Sequence, residues 1–99
     1  MYRQGDVMLI PAEVPEEAVE QKTMGRIILA EGEATGHAHS MLPAYAVMLA
    51  TPDGRRFIRA LMGATLEHQE HAAIAVPPGN YEIRIQREYE PEGVRNVAD

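Results

Sequence analysis

Residues 44–61 read AYAVMLATPDGRRFIRAL, two apolar runs joined by TPDG. In that break Pro52 presets the first central position of a turn and Gly54 can take a positive φ, so the chain reverses and the two runs lie antiparallel. The predicted element is a β-hairpin. Working outward from it, the neighbouring segments give the same reading.

Toward the N-terminus, GDVMLIP (5–11) is an apolar run stopped by Pro11, and its brevity favours a buried strand over a helix. GRIILAE (25–31) is a second, β-branched run, followed by the polar, glycine-bounded GEATG (32–36). Between the two runs, PEEAVEQK (15–22) starts with proline, places Glu16 and Glu17 in a first turn and ends on Lys22, which predicts one or two turns of helix. Toward the C-terminus, AAIAVPPGNYEIRIQREYE (72–90) repeats the hairpin device, with PPGN between two strands. In the second strand Tyr81, Ile83 and Ile85 alternate with Glu82, Arg84 and Gln86, so one face is buried and the other wet. The tail PEGVRNVAD (91–99) reads as a turn with a short docking strand or as a loose end.

Six or more short strands, with at most one short helix near 15–22, predict an all-β fold: a small antiparallel β-barrel or sandwich, with jelly-roll or cupin-like closure and a smaller rolled sheet both compatible. The 99 residues form one domain, 1–99, with room for a single core. A domain this small gains from a bound metal or from self-association, so a homo-oligomer is expected. Hydrophobic residues at 45% and charged residues at 24% give the balance of a globular protein. No apolar run approaches the roughly 20 residues that cross a bilayer, and the start MYRQGDVMLIP lacks the pattern of a secretory leader, so no membrane association and a cytoplasmic location are expected.

The chain has no cysteine, which excludes disulfides, thiolate zinc sites and a cysteine nucleophile. A net charge of −6 argues against phosphate-backbone binding. The local exception is Arg84, Arg87 and Arg95 near Tyr81 and Tyr89, which could stack bases. The interleaved Glu82, Glu88, Glu90 and Glu92 favour a solvated mixed-charge strand instead. No phosphate-binding glycine loop is present, and the one serine, Ser40, lacks the strand-turn-helix elbow of an activated nucleophile. Met8, Met24, Met48 and Met62 read mostly as core filler. Met41, two residues after His39, is retained as a soft ligand.

All four histidines fall into two pairs, GHAHS (36–40) and EHQEH (67–71). On an extended segment His37 and His39 project from one face, a two-toothed ligand preceded by a glycine that permits close approach. His68 and His71 have the i, i+3 spacing of a turn, placed here between two strands. Convergence of the pairs gives a metal site of His37, His39, His68 and His71. Glu67 and Glu70 lie alongside as ligands or as acceptors behind the rings, and Glu31 and Glu33 are more distant candidates. Imidazole donors suit zinc, nickel, copper or iron rather than calcium or magnesium, and zinc is the metal expected. Three histidines plus water would leave an open, catalytic position, with Glu70 as general base; four would close the site and make it structural. The alternatives are surface histidines and metal-free acid–base chemistry.

The order QGDVMLIP, AEGEATGHAH, HQEHAAIAVPPGNYEIRIQREYEPEG and final VAD resembles a family of small, functionally uncharacterised proteins of bacteria and some phages. The match runs nearly the length of the chain and implies a complete protein, with no activity attached. GEATGHAHS and VPPGNYE are also similar to fragments of cupins, whose metal-binding motif would map onto His37 and His39. No glutamate follows His39 within a few residues and no histidine follows Pro78 and Gly79, so the cupin resemblance extends no further. Two functions follow: a metal-dependent enzyme, hydrolytic with Glu70 or Glu67 as base, on an undefined small-molecule substrate; or a non-catalytic assembly or interaction module, phage-associated or oligomer-forming. A third, metal-free reading uses the Arg84, Arg87, Tyr89 strand.

Overall fold

A computed structural model describes residues 1–31 and 36–86, and the backbone of 88–90 and 93–95. All regular structure among these residues is β. The strands are β1 (Tyr2–Gln4), β2 (Val7–Pro11), β3 (Val19–Gln21), β4 (Ile27–Glu31), β5 (Ala38–Met41), β6 (Ala46–Ala50), β7 (Arg56–Ala60), β8 (Ala64–Leu66), β9 (Ile74–Val76), β10 (Gly79–Ile85), β11 (Glu88–Glu90) and β12 (Gly93–Arg95).

The hairpin at 44–61 forms as its sequence predicts. β6 and β7 pair with Met48 opposite Ile58, and the turn is closed by the Thr51 N–H donating to the Arg55 carbonyl at 2.9 Å, with Gly54 at φ 92°. This hairpin lies within a six-stranded antiparallel sheet ordered β1-β2-β10-β7-β6-β3. The register aligns Tyr2, Leu9 and Ile83 on one row of its inner face and Tyr81, Ile58 and Met48 on the next. The alternation in β10 holds: Tyr81 and Ile83 are buried and Arg84 is exposed. Burial raises the Tyr81 hydroxyl above its ordinary pKa, and that hydroxyl donates to the Pro77 carbonyl at 2.8 Å.

The second layer consists of the hairpins β4-β5 and β8-β9. They are joined where Ser40 and Glu67 exchange backbone hydrogen bonds, each N–H to the other's carbonyl at 2.9 Å, which gives the spatial order β4-β5-β8-β9. Ile27, Leu29, Met41, Leu66 and Val76 of this layer pack against Val7, Leu9, Ile58, Tyr81 and Ile83 of the large sheet in one core cluster. The layers are tied by side chains: Arg56 donates to the Leu29 carbonyl at 2.7 Å, and partial burial lowers its pKa. A bulge between Ile28 and Ala30 shifts the register of β4 against β5, a common device for bending a strand.

Of the two expected all-β forms, the antiparallel sheets take the sandwich-like one and do not close into a barrel, because the layers meet face to face through side chains rather than through a continuous ladder. Two expectations are corrected. No helix forms at 15–22: Glu16 and Glu17 lie in a turn where Ala18 N–H meets the Pro15 carbonyl at 3.0 Å, and Val19–Gln21 pairs with Ala50–Met48 at the sheet edge. Pairing to an existing strand outweighs the helical cues of a short isolated segment. PPGN does not join a hairpin either. β10 is paired on both sides, with β2 and β7, and β9 pairs with β8, so the Pro77–Pro78 step passes the chain between layers. Among the described residues no helix is long and apolar enough to cross a membrane.

Candidate metal centre

The turn from β1 to β2 contains only Gly5 and Asp6, since Gln4 pairs with Val7. Gly5 takes φ 57° and no other residue type takes a positive φ among the described residues, as in a two-residue hairpin turn with glycine in the first central position. This tight reversal holds Gln4 and Asp6 at one end of the space between the layers. From the second layer, β5 sends in His39, which lies on the same face as Met41 and is fully buried. The β8–β9 connection carries His68 and His71 on a bend, as the spacing of EHQEH predicts.

His39, His68 and His71 converge. Each offers a ring nitrogen within 4.8 Å of the other two, and the ring centroids lie 4.5 Å (His39–His68), 4.6 Å (His68–His71) and 5.7 Å (His39–His71) apart. Two distant segments of the chain therefore place three imidazoles where one metal ion could be held. His37 is not in that group. It follows Gly36 (φ 81°) just before β5 begins, with its ring 5.5 Å from that of His68 and its Nδ1 3.5 Å from Oε1 of the exposed Glu70.

The hydrogen bonds fix which nitrogen of His39 is available. The Gln4 side-chain Nε2 donates to the Leu66 carbonyl at 3.0 Å and to the Ala72 carbonyl at 2.9 Å. Both partners can only accept, so the amide orientation is determined and Oε1 is the atom facing His39 Nδ1 at 2.9 Å. Nδ1 must then carry a ring hydrogen, and in the neutral ring Nε2 presents its lone pair, 3.6 Å from Asp6 Oδ1. An oxygen acceptor behind a histidine, setting its tautomer and orientation, is the usual support of a metal-bound imidazole.

His71 Nε2 is buried with no hydrogen-bond partner among the described residues. His68 is held differently. Its Nδ1 accepts the N–H groups of Glu70 (3.0 Å) and His71 (3.2 Å), which places the ring hydrogen of the neutral form on Nε2. A metal reaching His68 must displace those two donors at Nδ1 or take Nε2 as the hydrogen moves to Nδ1. Either route would change the hydrogen bonding of the 68–71 bend.

The other predicted residues fall around this centre. The Glu67 carboxylate is paired with Arg26 at 2.6 Å, and Arg26 Nε donates to the Ser40 hydroxyl at 2.8 Å, which ties Ser40 down and leaves Glu67 turned to Arg26. Arg26, Ser40, Glu67, His68 and Gln69 border a surface cavity of about 210 Å³. Met41 is buried in the apolar core and Glu31 is exposed. Glu33, Arg87 and Glu92 lie outside the described residues, as do the side chains of Glu88, Tyr89, Glu90 and Arg95. In the proposed base-stacking strand, Tyr81 is buried and Arg84 pairs with Glu82 at 3.1 Å, so neither offers a platform.

A family model described as a domain of unknown function, DUF8820, matches residues 3–86. The chain belongs to this family. The matched span of DUF8820 includes Gln4, Asp6 and all four histidines. No curated protein and no solved structure matches the chain. Sequence reading missed Gln4 and Asp6; their signal was a polar pair spaced i, i+2 around a glycine immediately before an apolar strand.

Proposed function

We propose that this domain binds one transition-metal ion, zinc being the best suited, through His39, His68 and His71. The observation that carries the reading is the Gln4–His39 contact. A buried glutamine with its amide fixed by two backbone carbonyls holds neutral His39 in the tautomer that leaves the Nε2 lone pair open, with its ring centroid 4.5 Å from that of His68 and 5.7 Å from that of His71. A structural core histidine needs only a partner for its own polar atoms; this one lies among further imidazoles. Three neutral nitrogens match zinc or a similar borderline ion and suit calcium and magnesium poorly.

Zinc titrated into metal-stripped protein and followed by calorimetry tests the proposal. About one equivalent should bind to the wild type, with binding lost in the double variant His39→Ala, His71→Ala. Equal uptake by wild type and variant would place the metal elsewhere on the chain and overturn the assignment.

A second, hydrolytic reading has one observation in its favour. Glu70 and His37 stand together at the exposed rim beside His68, where a carboxylate could serve as base toward water on an open metal position. Its test is hydrolysis of activated esters by the zinc-loaded protein compared with Glu70→Gln.

A further inference from the structure

We infer that Asp6 is a fourth ligand of this centre, its Oδ1 meeting the same ion as His39 Nε2, so that the metal ties the first hairpin of the large sheet to the second layer. The inference rests on the metal reading above and decides what kind of site it is.

The distance between the two atoms carries the argument. With the Gln4 amide fixed as described, His39 Nε2 turns a lone pair toward a buried carboxylate oxygen at 3.6 Å. A hydrogen bond between them would draw the pair to about 2.7–3.2 Å. Two ligands at roughly 2.0 Å from one tetrahedral zinc lie about 3.3 Å apart, so the observed gap fits the edge of a coordination shell better than a shared proton. Charge points the same way. A dication among three neutral imidazoles leaves two uncompensated charges in a buried setting, and one carboxylate halves that excess. The Gly5–Asp6 turn also gives Asp6 a reason for its place: it brings a carboxylate from the first hairpin of the large sheet to the His39 ring of the second layer.

Three histidines and one aspartate complete a tetrahedral set and leave no position for a reactive water. The centre would then act as a clamp between layers. The hydrolytic use of Glu70 would fail with it, since the base would have no bound water to act on.

Cobalt(II), which reports its coordination through visible absorption, separates the outcomes. Wild-type protein should bind one cobalt with the intense bands of a four-coordinate ion. Asp6→Asn and Asp6→Ser, both readily housed in this turn, should weaken binding by more than the roughly 10–100-fold typical of an outer-sphere partner and should give a cobalt spectrum that changes with pH near neutrality, as the water that takes the fourth position ionises at about pH 7, whereas the wild-type spectrum stays constant there. Glu20→Gln, which removes an equal charge from the far sheet edge, should leave both readouts unchanged. Circular dichroism on each variant confirms that it is folded. If neither aspartate variant folds, adding Asp6→Glu, which keeps the carboxylate, should restore folding and cobalt binding; a folded non-carboxylate variant with the wild-type cobalt affinity and the same pH-independent spectrum overturns the inference. If the wild type itself takes up no cobalt or zinc, the underlying metal reading fails instead.

Discussion

The space between the two layers has two differently built ends. Toward the Pro77–Pro78 crossing it is filled by Tyr81, Ile58, Met48 and Val76, and toward the β1–β2 turn by Gln4, Asp6 and three histidines. Each end has a fully buried residue at its centre: Ile58 and His39 are each 0% exposed. At the apolar end burial is itself the stabilising term, and neighbouring apolar residues of similar volume would serve. At the imidazole end burial opposes stability unless every polar atom finds a partner of the right kind. Gln4 has three such partners, and no other residue type of that length offers two donors and an acceptor together. The contrast separates an apolar end whose composition is interchangeable from a polar end that tolerates only particular donors and acceptors, among them three histidines that could hold a metal ion.

Variants can break or sharpen this contrast, starting with the largest effect. Leu9→Ala, in the middle of the apolar region, should destabilise the domain by about 2–5 kcal/mol in urea titration while leaving zinc affinity of the folded protein intact; an equal loss of zinc binding would mean that the two ends are not separable. His39→Leu should lower metal-free stability by about 1–3 kcal/mol, because Gln4 Oε1 loses its buried donor, and should abolish any stabilisation by zinc. Gln4→Met fills similar space without the acceptor behind His39, and calorimetry should show zinc affinity reduced by roughly 10–100-fold. Gly54→Ala lies at neither end. A Cβ there meets nothing within 4 Å, so only the left-handed backbone opposes it, for a loss of about 1–2 kcal/mol with no change in zinc binding.

Amide exchange provides a further test, on the metal-free side of the comparison. Because the Glu70 and His71 N–H groups donate to His68 Nδ1, zinc should change their exchange rates beyond the general slowing that a ligand of the folded state gives the central amides of β7 and β10. Unchanged exchange at 70 and 71 in a zinc-loaded sample would mean that His68 is not engaged.

Much of the fold was legible because its signals are local. The TPDG turn, the stop at Pro11 and the alternation of Tyr81, Ile83 and Ile85 each depend on a few neighbouring residues. The segment 15–22 was misread because its Pro, Glu and Lys placement is a genuine helical cue, while its actual fate was set by the free edge beside Met48–Ala50, more than 20 residues away. PPGN has the chemistry of a turn, yet the strand after it was already claimed on both sides by β2 and β7. The candidate site divides in the same manner. Spacing alone indicated that His37, His39, His68 and His71 could chelate together. That the close group comprises His39, His68 and His71, and that Gln4 and Asp6 lie against His39, depends on the docking of separate segments, Gln4 of β1 reaching Leu66 and Ala72, which no periodicity in the chain encodes.

The most direct test of a metal held between the layers is the thermal unfolding of the wild-type protein in excess zinc and in excess chelator. A ligand bound only by the folded state at 100 times its Kd adds about 2.7 kcal/mol, which for a domain of this size raises the Tm by on the order of 10–20 °C. Such a shift, absent from His39→Ala, is the predicted result. Superimposable curves with zinc and with chelator would contradict it.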